Sequence, residues 1–92
     1  MELSERYIQK LEREGFDSVY EWQDKPGVFY PEHTHDYSTT IIITDGSLIL
    51  TIRGKEKVLK AGDRAEIPAG VPHSARAGEK GVIYIVGEKH NP

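Results

Sequence analysis

Residues 27–46 read GVFYPEHTHDYSTTIIITDG, and residues 62–77 read GDRAEIPAGVPHSARA. In the first stretch, His33 and His35 stand two apart. On an extended strand, such residues project from the same face, so both imidazoles can reach one point. Thr39, Ile41 and Ile43 keep that parity if no bulge intervenes. Asp45-Gly46 closes the stretch as a hairpin-turn signal. In the second stretch, Gly62-Asp63 allows a tight turn, and Pro68-Ala69-Gly70-Val71-Pro72 is a stiff loop leading to His73. From His73 the same alternation places Ala75 and Ala77 on the inward side.

The pattern continues on both sides of these stretches. Leu48, Leu50 and Ile52 alternate with Ile49, Thr51 and Arg53, as in a half-buried strand. Candidate strands fall at 18–23, 27–33, 38–45, 47–53, 56–60, 64–67, 72–78 and 82–87, separated by Gly-, Pro- and Asp-bearing turns. Many short strands at such spacing imply an all-β sandwich or barrel. The helical pattern is confined to residues 4–14. There Ser4 is placed to cap the N-terminus, Gly15 to close the C-terminus, and Leu3, Tyr7, Ile8 and Leu11 form one apolar stripe. A single domain over residues 1–92 is expected, with one N-terminal helix and six to nine strands.

Composition narrows the function. With no cysteine, the chain has no disulfides, thiolate ligands, Fe–S clusters or Cys nucleophile. Lys and Arg number 12 against 15 Asp and Glu, for a net charge of −3 with no run of one sign. That balance argues against a partner held by basic charge, whether nucleic acid or an anionic membrane. Apolar runs such as Ile41-Ile42-Ile43 are far too short to span a bilayer. Residues 1–6 lack an apolar signal core, so a cytoplasmic chain is expected. At 10.4 kDa the barrel has a limited core and free strand edges, and a homodimer is expected to cover them.

The histidines carry the chemistry. Imidazole is a common ligand for Fe, Mn, Ni, Cu and Zn, and three neutral rings on one side of an ion leave positions open for water or substrate. By itself an HxH pair fits either a metal site or polar filler on a strand.

The two stretches together resemble the cupin superfamily. Its first motif is Gly, five residues, His-x-His, three or four residues, Glu, six residues, Gly. This chain shows Gly27, His33-Thr34-His35, then Thr39 in the Glu position, then Gly46. The second motif is Gly, five residues, Pro-x-Gly, two residues, His, three residues, Asn. Here stand Gly62, Pro68-Ala69-Gly70 and His73, with Ala77 where Asn would be. The resemblance spans residues 27–77 without a gap and implies a small jelly-roll-like β-barrel.

Carried over residue by residue, it implies a site for one divalent transition ion on His33, His35 and His73, with Thr39, Ile41, Ile43, Ala75 and Ala77 lining the pocket. Three-histidine sites of this kind serve some cupin-type dioxygenases, so a metal-dependent enzyme acting on a small molecule is expected. The alternative is a cupin that binds a small ligand or partner in an apolar pocket without chemistry. Asp36 and Glu32 have the wrong parity to replace the missing carboxylate, and no general base stands out. Tyr30, Tyr37 and Phe29 near the rim, and Tyr20 and Trp22 on the first strand, are read as packing. For Tyr20 and Trp22, packing is the default reading and a dimer contact the lesser alternative. His90 is read as part of a solvated, frayed tail.

Overall fold

A computed structural model describes residues 2–90. One helix, α1 (Glu2–Arg13), precedes six strands: β1 (Ser18–Asp24), β2 (Phe29–His33), β3 (Ser38–Ile52), β4 (Lys55–Lys60), β5 (Arg64–Ile67) and β6 (His73–Lys89). No helix among the described residues is long and apolar enough to cross a membrane.

Two strands are longer than the turn signals suggest. The candidate strands 38–45 and 47–53 are one strand, β3, and 72–78 and 82–87 are one strand, β6. Asp45-Gly46 is therefore a bend within β3 and not a hairpin. The β3–β6 ladder shifts register between Ile43 and Asp45 and again between Gly46 and Leu48, where Gly46 pairs with Val82 and Leu48 with Ala77. Residues 78–81 of β6 thus bulge opposite the single residue Ser47.

Those bends divide the fold into two four-stranded sheets. The first half of β3 pairs with β5 on one side and with the second half of β6 on the other, and β6 in turn pairs with β1. The second half of β3 pairs with β4 and with the first half of β6, which pairs with β2. All these pairings are antiparallel. Together they form a small jelly-roll β-barrel, the all-β fold the motifs imply.

Ile41, Ile42 and Ile43 are all buried because the first sheet is covered on both faces. Ile41 and Ile43 join Leu48, Leu50, Leu59, Ile67, Val82 and Val86 inside the barrel. Ile42 and Ile85 point outward onto Leu11, Tyr7 and Ile8 of α1. The helix ends in a Schellman closure, with Phe16 N–H donating to Leu11 O at 3.2 Å and Gly15 N–H to Glu12 O at 3.0 Å. Ser4 does not cap the helix. It lies within α1, buried, and its hydroxyl donates to Glu21 Oε2 at 2.6 Å. Leu3 is 41% exposed and stands outside the packed stripe. Arg64 of β5 grips Glu14 through two bonds of 2.7 and 3.0 Å, and this holds the Glu14 carboxyl down at about 2.

At the bend, Gly46 has φ +74°, and a Cβ there would run into the carbonyl oxygen of Gly81 and sit 3.1 Å from Val82 Cα. Both obstacles are backbone, so no side chain can move aside. Gly54, in the β3–β4 turn, has φ +80° and open space around it. Gly46→Ala is expected to destabilise the fold by about 3 kcal/mol or more and Gly54→Ala by about 1 kcal/mol, as read from urea melts. In Arg64→Ala, the Glu14 carboxyl should return to the ordinary range near 4.3, measurable by NMR titration. Because the folded value is depressed, the pair's contribution is present above the unfolded value. It is lost as pH falls toward about 2.

Candidate metal centre

His33 ends β2 and His73 begins β6, and the two are direct cross-strand partners. His35 follows in the loop after β2. That loop is pinned to the Pro68–Pro72 loop by Gly70 N–H donating to His35 O at 2.8 Å. Arg53 N–H donates to Pro72 O at 3.2 Å, so the stiff segment before His73 is tied at both ends. The ring centroids of His33–His73, His33–His35 and His35–His73 are 4.3, 4.7 and 4.9 Å apart. One nitrogen from each ring lies within 4.8 Å of the other two.

Hydrogen bonds orient the rings. Nδ1 of His33 lies 2.7 Å from Pro31 O, and Nδ1 of His73 lies 2.9 Å from Val71 O. A carbonyl only accepts, so each Nδ1 carries a proton and, in the neutral ring, Nε2 is the nitrogen left with a lone pair. Backbone-held tautomers of this kind are how metal-binding imidazoles are oriented. His35 Nδ1 is buried with no partner, and so is Thr39 Oγ1. Burial, and then the neighbouring His73 and His33, lower the His35 pKa and favour the neutral ring. The donor set therefore fits a divalent transition ion: three converging imidazoles, two of them oriented by backbone carbonyls and one with an unsatisfied nitrogen.

The histidines open onto a cavity of about 300 Å³ between the two sheets. Thr39, Ile41 and Ala75 line it. Ile43 and Ala77, expected on its wall, are not among its lining residues and are fully packed in the core. The remaining wall is largely aromatic. Tyr20 and Trp22 of β1, Tyr30 of β2, Tyr37 and Tyr84 all line it, along with Glu88. Tyr30 and Tyr37 are thus cavity residues and not mere packing, while Phe29 points outward with Arg76 4.7 Å over its ring.

Asp24, a buried carboxylate behind the aromatic wall, organises that wall. Its Oδ1 accepts from Tyr30 Oη at 2.7 Å and Trp22 Nε1 at 3.0 Å, and its Oδ2 from Tyr84 Oη at 3.3 Å. Burial foremost, and then the negative charge of Asp24, push the Tyr84 hydroxyl upward, so it stays neutral. The parity of residues 84, 86 and 88 was the available signal for Tyr84 and Glu88, but the strand read as 82–87 stopped one residue short of Glu88. His90 is not loose. Its backbone N–H donates to Asp17 Oδ2 at 2.6 Å, and its ring lies 4.5 Å from that of Tyr37. Asn91 and Pro92 lie outside the described residues.

Comparison with known proteins agrees with this geometry. The chain is 47% identical over 51 residues to a quercetin 2,3-dioxygenase of Bacillus subtilis (strain 168), a match covering 54% of this chain and 15% of that protein. A RmlC-like cupin from Shewanella frigidimarina superposes with a TM-score of 0.73 at 26% identity, over 79% of this chain and 65% of the other. The DMSP lyase DddQ from Ruegeria pomeroyi, at 24% identity, also gives a TM-score of 0.73, over 79% of this chain and 38% of its own; that likeness concerns the fold alone. The chain thus spans less than two thirds of these relatives. A family model for the cupin domain matches residues 20–87. With that match over most of its length and both motifs meeting inside the barrel, the chain belongs to the cupin family.

Proposed function

We propose that this chain holds one divalent transition ion on His33, His35 and His73 and acts as a metal-dependent enzyme, a dioxygenase, on a small and largely apolar molecule. The observation that carries this reading is the convergence of three imidazoles, two hydrogen-bonded to backbone carbonyls, on an open cavity lined by aromatic and aliphatic side chains. The similarity to part of a quercetin dioxygenase supports the choice of reaction. An ion bound by three imidazoles would supply Lewis-acid or redox chemistry at its open positions.

The protein's own contribution is placement and exclusion of water. Ile41, Leu48, Leu50 and Ile67 form an apolar wall, and Trp22, Tyr30 and Tyr84 give flat surfaces against which a planar ring can stack. Asp24 holds those three aromatic side chains by their polar ends, so the shape is set before a ligand arrives. The homodimer is proposed as well: β1 closes one edge of its sheet, and Trp22 on it is 46% exposed.

Calorimetric titration of tag-free protein with Mn²⁺, Fe²⁺, Co²⁺, Ni²⁺, Cu²⁺ or Zn²⁺ tests the site. Wild type should bind one equivalent at about pH 7.5, and His73→Ala should lose about 100-fold or more in affinity while keeping its fold. Binding should weaken at about pH 5.5, because protons compete for imidazoles whose ordinary pKa is about 6.5. Thr39→Glu should tighten binding by adding an anionic oxygen. If wild type binds none of these ions better than His73→Ala, the metal reading fails. Oxygen uptake by metal-loaded protein with quercetin as probe tests the reaction; metal binding without uptake of oxygen would favour ligand binding without chemistry. Sedimentation at twice the 10.4 kDa chain mass is the expected result for the dimer, and a clean monomer would refute it.

A further inference from the structure

Three imidazoles bring no negative charge to an ion. A divalent cation on His33, His35 and His73 would leave its charge uncompensated beside a wall of aliphatic and aromatic side chains, where charge is poorly solvated. The position that carries a carboxylate in the motif is Thr39, whose hydroxyl is buried with no hydrogen-bond partner. Its direct partner across the β3–β6 ladder is Glu88. Directly paired residues in a sheet project from the same face with Cβ atoms about 5 Å apart. Glu88 accordingly lines the cavity beside Thr39, and it is the single charged side chain among the lining residues, with no Lys or Arg to neutralise it.

The carboxylate is held in place. Its side chain is 17% exposed. Tyr20 Oη donates to Oε2 at 2.6 Å, and His90 Nε2 lies 3.2 Å from Oε1. The His90 ring faces Tyr37, and Tyr37 stacks on His35 at 4.7 Å with 7° between the planes. Contacts therefore run unbroken from Glu88 to one of the three imidazoles. Glu88 is not itself within the cluster of converging ligand atoms, which among the described residues is His33, His35 and His73 alone.

We propose that Glu88 is the counter-charge of the metal centre, supplied from β6 in place of the carboxylate missing at position 39. It is a positioning residue that acts on the ion through the cavity's field and is not one of its nearest ligands. This rests on the metal reading above, and the experiment separates the two.

Tag-free protein is titrated with Mn²⁺ and with Zn²⁺ by calorimetry, with thermal melts of every variant to check folding. Glu88→Gln keeps the shape and an acceptor for Tyr20 but removes the charge, and it should weaken binding about tenfold, the scale of an outer-shell loss. Glu88→Asp keeps the charge on a shorter arm and should retain most of the affinity. Adding Thr39→Glu to Glu88→Gln should recover the loss, because a carboxylate then returns to the same face. Glu56→Gln removes an exposed charge on β4 and should change affinity by less than about twofold, since solvent screens it. Wild type and Glu88→Gln binding within about twofold of each other would overturn the proposal while leaving the metal reading intact. So would Glu88→Asp binding as weakly as Glu88→Gln, since shape and not charge would then matter. Wild type binding no better than His73→Ala would overturn both.

Discussion

The ladder between β3 and β6, bent where Gly46 meets Gly81, is the constraint on which the rest of this structure depends. Each of these strands serves both sheets, so the bend decides how the sheets face one another and how much space lies between them. The bend is possible because the backbones come closer than any side chain would allow. A Cβ at Gly46 would strike the Gly81 carbonyl, and one at Gly78 would strike the Ser47 side chain. Gly81 in turn lies against the backbone of Asp24, where a Cβ would sit 2.9 Å from the Asp24 oxygen. The corner is thus built from glycines on both strands, with β1 packed against it.

From that corner the chemistry follows by distance along the strands. Near the bend the interior is solid where Ile43, Ala77 and Val82 pack together. Farther along, the sheets leave a cavity lined by the three histidines and by the paired Thr39 and Glu88. The imidazoles need no long side-chain network to aim them. Two backbone carbonyls, two residues upstream of His33 and of His73, fix the rings locally, so the same short loop geometry works at both positions.

The electrostatics are asymmetric. One carboxylate, Asp24, sits behind the aromatic wall and is spent on three hydroxyl and indole donors. The other, Glu88, lines the cavity with a tyrosine hydroxyl and a histidine ring for neighbours. Aromatic groups with their polar ends tied back present flat, apolar faces, while the negative charge is concentrated at the histidine end. On the proposed function, this arrangement would receive a cation and a flat organic molecule side by side.

Much of this was legible in the sequence. The position of His73 after a stiff loop depends on proline stiffness, which is local, whereas His35 lies in the loop after β2 and is held there by Gly70 rather than by strand parity. The alternation of Ile41, Ile42 and Ile43 between the barrel and the helix follows from strand parity. Other features were decided only when distant strands met. Asp45-Gly46 reads as a hairpin because its local turn chemistry is that of one, yet the approach of Gly81, 35 positions later, makes it a bend. Ser4 reads as a cap until Glu21 on β1 supplies a partner for its hydroxyl. Asp24 acquires its role only when Trp22, Tyr30 and Tyr84 converge on it from three strands. Glu88 acquires its place opposite Thr39 from a register that two bulges set. Local stereochemistry determined which residues shared a strand face, and long-range pairing alone decided which faces met.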